Sequence, residues 1–269
     1  MAKETLVIQN QGFYMAPSGK RVDISASMKH SIQSSYLLTP NEGNNVVEKL
    51  SIISNHGQTQ YKVINASIIQ VIVGEPKTDT PVAVLNFASA KNPGGGFLNG
   101  SMAQEEALAI SSGLYNTLLP HKEYYEKNRA CPSMMYTNHA IYSPDVVFFR
   151  DSKYELLELP VTASVLTLPA VNMGQVISKG EDINLAKEEM KNRMRLSLAI
   201  FAKEQNERII LGAYGCGVFA NNPHDVARWW YELLIDENYA CFFKMVLFVI
   251  LDKPGGDNIE AFSRKFMCK

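Results

Sequence analysis

The sequence predicts a layered α/β domain, and three observations carry that reading. Short apolar, β-rich runs alternate with amphipathic helical stretches from about Tyr61 onward. Two of the runs end in glycine-rich turns that lead into helices. Finally, 46% of the residues are hydrophobic against 20% charged, enough to bury a sizeable interior and unlike a disordered chain. At 269 residues the chain exceeds the usual single-domain size but fits one large core with an accessory segment.

The elements follow in order. Residues 1–60 scatter Gly, Ser and Asn through modest helical patterns such as Ser25 to Leu37, and are expected to form an accessory, partly helical segment. Residues 61–269 should hold the main domain, the two making one structural unit. Val82 to Phe87 reads as a buried strand, as do Val165 to Val171, Arg208 to Gly212 and Met245 to Leu251. Ile141 to Phe149 is a weaker strand, because Pro144 interrupts it. Ile183, Ala186, Met190, Met194, Ser197 and Phe201 recur at helical spacing, which predicts a long helix over Ile183 to Gln205 with one buried stripe. Asn222-Pro223 offers an N-cap and a proline at the first helical position, opening a helix to about Ile235. A last helix is expected near Ile259 to Met267. No internal repeat, low-complexity tract or long linker is evident.

Charge and cysteine usage exclude several classes of function. The 26 basic and 27 acidic side chains leave a net charge of -1, so no global positive field draws the protein to nucleic acid or anionic lipid. A polyanionic substrate would need a local site. Cys131, Cys216, Cys241 and Cys268 form no C-x-x-C pair, and the five histidines never stand at metal-ligand spacing to them, which predicts neither disulfides nor structural zinc. The start, Met1-Ala2-Lys3-Glu4-Thr5, is polar and lacks the apolar region of a secretion signal. No segment approaches the ~20 apolar residues that span a bilayer. A cytoplasmic location is the expectation.

The chemistry concentrates in two segments. In the first, the strand Val82 to Phe87 runs through Ala88-Ser89-Ala90-Lys91-Asn92-Pro93 into Gly94-Gly95-Gly96, and Gln104-Glu105-Glu106 then opens a helix. Three consecutive glycines cost chain entropy, and close approach of a ligand to the backbone would justify them. A plain flexible loop explains the glycine count equally well. Acidic residues at a helix start are favoured by the helix dipole whether or not they do chemistry. Adjacent helical residues project about 100° apart, so Glu105 and Glu106 should face different groups. One could serve as a general acid while the other fixes a sugar hydroxyl; neighbouring carboxylate charge and a bound diphosphate would raise the acid's pKa against the helix dipole.

The second segment, Gly212-Ala213-Tyr214-Gly215-Cys216-Gly217-Val218-Phe219-Ala220-Asn221-Asn222-Pro223, repeats the order strand, glycine-rich turn, helix start. It suits a phosphate-binding loop. It lacks the lysine and Ser/Thr pair of a Walker A loop and does not fit G-x-G-x-x-G, which argues against a nucleotide triphosphatase or a dinucleotide-dependent dehydrogenase. Phe219 is either an aromatic contact for a sugar or base, or a packing residue.

The run Leu85-Asn86-Phe87-Ala88-Ser89-Ala90-Lys91-Asn92-Pro93-Gly94-Gly95-Gly96 with Gln104-Glu105-Glu106 resembles the signature of bacterial-type poly(ADP-ribose) glycohydrolases. The triple glycine and Gln-Glu-Glu are far more specific as a pair than either half. Similarity extends through Ser111-Ser112-Gly113-Leu114-Tyr115 and Gly215-Cys216-Gly217-Val218-Phe219, from about Tyr61 to the C-terminus. The resemblance implies a macrodomain-like three-layer α/β/α fold with a mixed sheet and an N-terminal, partly helical accessory segment near the adenosine end of the ligand. It implies hydrolysis of the ribose–ribose O-glycosidic bond of ADP-ribose polymers from their ends, with no metal or other cofactor. Glu106 matches the catalytic acid and Glu105 the residue that holds ribose hydroxyls. Gly94, Gly95 and Gly96 match the loop against the scissile ribose and diphosphate. Gly215, Gly217, Val218 and Phe219 match the diphosphate loop, with Phe219 beside the terminal ribose. Gln104 and Cys216 lie within the same motifs and join the substrate-binding candidates.

The implied partners are poly(ADP-ribose) or ADP-ribose, with ADP-ribosylated proteins or nucleic acid as further candidates and no membrane. Two alternatives stay open: a non-catalytic ADP-ribose-binding macrodomain, and a hydrolase of another ADP-ribose conjugate. A reader would keep the glycine loops but has no need of two glutamates beside the scissile ribose.

Overall fold

The computed structural model describes residues 1–50, 59–74 and 82–267, so Cys268 lies outside the described residues. The chain begins with α1 (Ala2–Gln11), the hairpin β1 (Phe13–Met15) and β2 (Arg21–Asp23), α2 (Ser25–Ser34), β3 (Tyr36–Leu38) and α3 (Pro40–Lys49). It continues through β4 (Gln60–Ile64), α4 (Ile68–Gly74), β5 (Ala83–Ala88), α5 (Gln104–Ser111), α6 (Leu114–Leu118) and α7 (Lys122–Ala130). Next come β6 (Ala140–Arg150), β7 (Leu156–Pro169), α8 (Met173–Ser178) and α9 (Ile183–Lys203). The order closes with β8 (Arg208–Leu211), α10 (Pro223–Tyr231), β9 (Met245–Val249) and α11 (Asp257–Phe266).

Seven strands make one sheet in the order β3-β6-β7-β5-β8-β9-β4. β7, β5, β8, β9 and β4 run parallel, while β6 and β3 join antiparallel at one edge, so the sheet is mixed. Apolar clusters on its two faces supply the core. One packs α9, α10 and α11 on the sheet through Met190, Met194, Phe201, Trp230 and Phe262, and the other packs α4 to α7 through Ile69, Leu108, Leu118 and Tyr124. Strands covered on both faces read as continuous apolar runs, which is why β5, β8 and β9 stand out in the sequence. The architecture is the expected three-layer α/β/α one.

Most of the elements that periodicity names form near where it places them, although β7 begins nine residues before Val165 and ends at Pro169. The α9 stripe is buried, and Asn222 caps α10 by accepting from the backbone N–H groups of His224 and Asp225. Pro144 does not end the strand expected over Ile141 to Phe149. β6 crosses it by a register shift between Ser143 and Val146, with Asp145 at φ 50°. A bulge of this kind frees a position from the ladder, a setting in which a strand tolerates proline. The helix expected over Ser25 to Leu37 ends at Ser34, because Tyr36, Leu37 and Leu38 pair with Tyr142, Ile141 and Ala140 as the edge strand β3.

The first helix is tied into the main body. Thr5 Oγ1 donates to the Ile110 carbonyl (2.8 Å), and Gln9 Nε2 donates to the Ser112 carbonyl (2.7 Å), both at the C-terminal end of α5. Glu4 pairs with the buried Arg150 (2.9 Å). Leu6 and Tyr154 pack beside Phe97, Ala109 and Ile110.

Candidate active site

At the carboxyl ends of the parallel strands, β5 delivers Phe87, Ala88 and Ser89 to the floor of a hollow, and β7 delivers Ala170. The chain then reverses through Gly94 (φ 67°) and Gly95 (φ 62°) and passes a 3-10 turn, Phe97–Asn99, before α5 starts. Positive φ favours glycine at both positions. A side chain at Gly95 would also strike Glu106 Oε1 and come 3.0 Å from Glu105 Oε2, so the loop passes against both carboxylates. The glycine run is therefore a fitted element.

Gln104, Glu105 and Glu106 occupy the first turn of α5 and point to three different partners, as their angular spacing requires. Gln104 Oε1 accepts from the Phe87 N–H (2.9 Å), and its Nε2 donates to the Leu85 carbonyl (2.8 Å). β5 pairs with β8 only at Ala83 and Val84, so the Gln104 amide supplies the next rung on that edge. Its polar atoms thus serve the scaffold, although the side chain borders the hollow.

Glu105, only 3% exposed, accepts from the Ser89 N–H (2.7 Å) and from Asn86 Nδ2 (3.2 Å). Burial pushes its carboxyl up to about 8, and the neighbouring Glu106 charge adds to the rise against the pull of these donors. Glu106, 8% exposed, accepts from the Gly96 N–H (2.8 Å) and from the Ala103 N–H (3.0 Å). The second bond is half of a capping box; Ala103, the N-cap, has no side-chain acceptor to return it. Both carboxyl groups line the hollow.

The opposite wall is the second glycine loop. Gly215 (φ 72°) lies against Asn221 and Ala170; a Cβ there would sit 2.6 Å from Asn221 Nδ2 and 2.7 Å from the Ala170 methyl. Asn221 ties the loop down, donating to the Val171 carbonyl (2.8 Å) and the Gly215 carbonyl (3.1 Å). Gly217, Val218 and Phe219 face the hollow, Val218 at 92% exposure. Cys216 does not border it. Its thiol turns back toward the Tyr214 carbonyl (3.8 Å), and burial raises it to about 12.

Two contiguous spaces result. One, of about 350 Å³, holds both glutamates and Phe219. The other, of about 430 Å³, shares Phe87, Ala103, Gln104, Ala213 and Gly217 with it and extends to Ser67, Met102, Tyr154, Leu251 and Asn258. An extended ligand with a polar middle and an apolar end fits this shape. Sequence reasoning missed Asn86, Ser89 and Asn221 as supporting residues. Asn86 carried a signal, a lone amide in an otherwise apolar buried strand. Ser89 acts through its backbone and left none.

A mixed-sheet α/β fold with two glycine loops and a carboxylate pair at the strand ends defines the class, a macrodomain-like glycohydrolase. Residues 2–151 match the family model described as microbial-type PARG, catalytic domain. The chain belongs to this family, the microbial-type poly(ADP-ribose) glycohydrolases. The poly(ADP-ribose) glycohydrolase of Thermomonospora curvata is 36% identical over 98% of this chain and 97% of that one, with a TM-score of 0.92. The same enzyme bound to the inhibitor ADP-HPD superposes with a TM-score of 0.90 at 35% identity, covering 98% of this chain and 97% of that one. The Deinococcus radiodurans enzyme in complex with ADP-ribose is 37% identical over 89% of this chain and 97% of that one, with a TM-score of 0.84. No curated protein matches the chain.

Proposed function

We propose that the chain binds the terminal unit of an ADP-ribose polymer and hydrolyses its ribose–ribose bond with Glu106 as general acid and base. The observation that carries the reading is the pair of buried glutamates facing the Phe219 loop across one hollow. Glu106 transfers its proton to the leaving 2′-oxygen as the bond to the anomeric carbon breaks and positive charge develops there. Water then adds to that carbon and returns a proton to Glu106. Glu105 holds a hydroxyl of the scissile ribose, and the nearby substrate diphosphate stabilises the cationic centre. Gly94 to Gly96 and Gly215 to Phe219 enclose the ribose and diphosphate, and the space bordered by Met102, Tyr154 and Leu251 takes the adenosine end. The N-terminal segment acts as an accessory element, its helix α1 bracing α5 through Thr5 and Gln9 and packing Leu6 on the cluster that Tyr154 also joins.

One observation favours a second assignment of the acid. Glu105 is the carboxyl that burial keeps protonated up to about pH 8, so it too could deliver a proton. Binding and turnover of the two Glu→Gln variants distinguish the roles.

Metal-independent turnover in the cytoplasm belongs to the same proposal. Among the described residues, no group of three or more His, Cys, Asp and Glu is placed to hold a metal ion, and no helix is long and apolar enough to cross a membrane. The deciding experiment incubates the protein with defined poly(ADP-ribose) and follows free ADP-ribose. Release supports the proposal. No release by a folded protein that still binds ADP-ribose would leave a non-catalytic reader.

A further inference from the structure

Next to Phe219 stands a second aromatic residue, Tyr136. The Tyr136 ring centroid lies 6.1 Å from that of Phe219, at an interplanar angle of 43°. Lys91 Nζ stands 6.0 Å over the same Tyr136 ring. Lys91 follows directly on the Ser89 turn that holds Glu105, its own N–H donating to Ser89 Oγ (3.3 Å), and Arg129 Nη2 donates to its carbonyl. The exposed Lys91 and Arg129 and the half-buried Tyr136 ring thus adjoin the hollow through its lining residues Ser89 and Phe219.

The Tyr136 segment is held in place. The buried Arg193 guanidinium donates to the Met135 carbonyl (2.8 Å), to Asn138 Oδ1 (2.8 Å) and to the Pro169 carbonyl at the end of β7 (3.0 Å). Asn128 Oδ1 accepts from both the N–H and the hydroxyl of Thr137. Between these anchors Tyr136 keeps φ 60° and a half-buried ring. Its other neighbourhood is a shallow hollow bordered by Glu181, Asp182 and Glu189, which repels phosphate and leaves the Lys91 side as the path for a polyanion.

We propose that Tyr136, Lys91 and Arg129 form the subsite for the leaving ADP-ribose unit, with its adenine stacked on Tyr136 and its diphosphate on the two cations. The inference rests on the glycohydrolase reading and deepens it. The leaving group of the reaction is the 2′-hydroxyl of an adenosine, so an adenine and a diphosphate must lie just outside the bond that Glu106 opens. Aromatic stacking accepts a base without reading its edges, and Lys91 can swing its flexible stem from the ring to a phosphate. The polymer is thereby gripped on both sides of the scissile bond.

The test compares two substrates in the full chain. One is a dimer of ADP-ribose; the other is the nitrophenyl glycoside of ADP-ribose, whose leaving group carries neither base nor phosphate. Asparagine tolerates the left-handed backbone, so Tyr136→Asn removes the ring without straining the turn. It should lower kcat/KM on the dimer about tenfold, the lower range for loss of one base stack, and leave the nitrophenyl compound unaffected. Tyr136→Phe should behave as wild type. Lys91→Gln should cost about two- to fivefold on the dimer at low salt, with the difference shrinking at high salt. Equal losses on both substrates would make Tyr136 a support of the catalytic loop and overturn the subsite, as would an unchanged rate on the dimer. If the wild-type protein cleaves neither substrate, the glycohydrolase reading itself falls.

Discussion

Replacing Glu105 by glutamine should change the pH dependence of stability more than stability itself. The carboxyl rises from 4.5 to about 8 on folding, and at ~1.36 kcal/mol per unit this is at most about 5 kcal/mol. The folded state holds the proton more tightly than the unfolded one, so wild-type stability is fully present below about pH 4.5. It declines as pH climbs through the interval and is lost by about pH 8 and above. Glutamine cannot ionise and removes this slope. It also has a place for its extra donor: Asn86 Oδ1 is buried without a partner, and reversal of the Asn86 amide would let the introduced amide donate to it. Urea titrations of both proteins at pH 5, 7 and 9 should show the variant gaining on the wild type as pH rises. In thermal scans about 5 kcal/mol would correspond to roughly 10–20 °C for a chain of this size. Parallel pH profiles would refute the buried, protonated Glu105. The same titration predicts an alkaline fall in wild-type kcat/KM near pH 8 that the variant lacks.

Glu106→Gln should retain ADP-ribose binding by calorimetry and lose about 10² to 10⁴ in single-turnover hydrolysis of polymer; a near-wild-type rate would move the acid to Glu105 or outside the motif. Phe219→Ala should slow turnover while leaving the thermal midpoint little changed, since its ring lines the hollow, and an unfolded variant would return Phe219 to a packing role. Gly95→Ala should abolish activity, because its methyl displaces both carboxyl groups and the backbone sits at φ 62°; unaltered polymer turnover would show that the loop can yield. Activity should survive exhaustive chelation, and loss reversed by Mg²⁺ or Zn²⁺ would contradict the metal-free mechanism.

The sheet was legible where strands are covered on both faces, as at Val84-Leu85 or Val246-Leu247-Phe248, because burial leaves an unbroken apolar run. Short edge elements were not. β3 has three residues and β4 alternates weakly, and each owes its place to pairing with β6 or β9 across a long stretch of chain that no local pattern records. At the site, glycine spacing and Gln104-Glu105-Glu106 pointed to residues that the fold brings to one hollow, but side-chain type did not tell which atoms face it. Gln104 spends its amide on Phe87 and Leu85, and Cys216 turns away from the hollow, outcomes that depend on where β8 leaves β5 and how Asn221 folds the loop back. Tyr136 was invisible, being brought to Phe219 by Arg193, a residue far along α9.

The bond from Thr5 to Ile110 spans 105 positions of sequence. An isolated helix of ten residues is marginal in water, and α1 finds its partners only when α5 and the later Arg150 have been made. At a synthesis rate of roughly 5–20 residues per second, the first helix waits on the order of 5–30 s on the growing chain before it can dock. During that interval Val7, exposed even in the finished fold, and Ile8, buried there, are both open to chaperones. Although α1 is translated before α5, it should therefore be among the last elements to gain protection from hydrogen exchange.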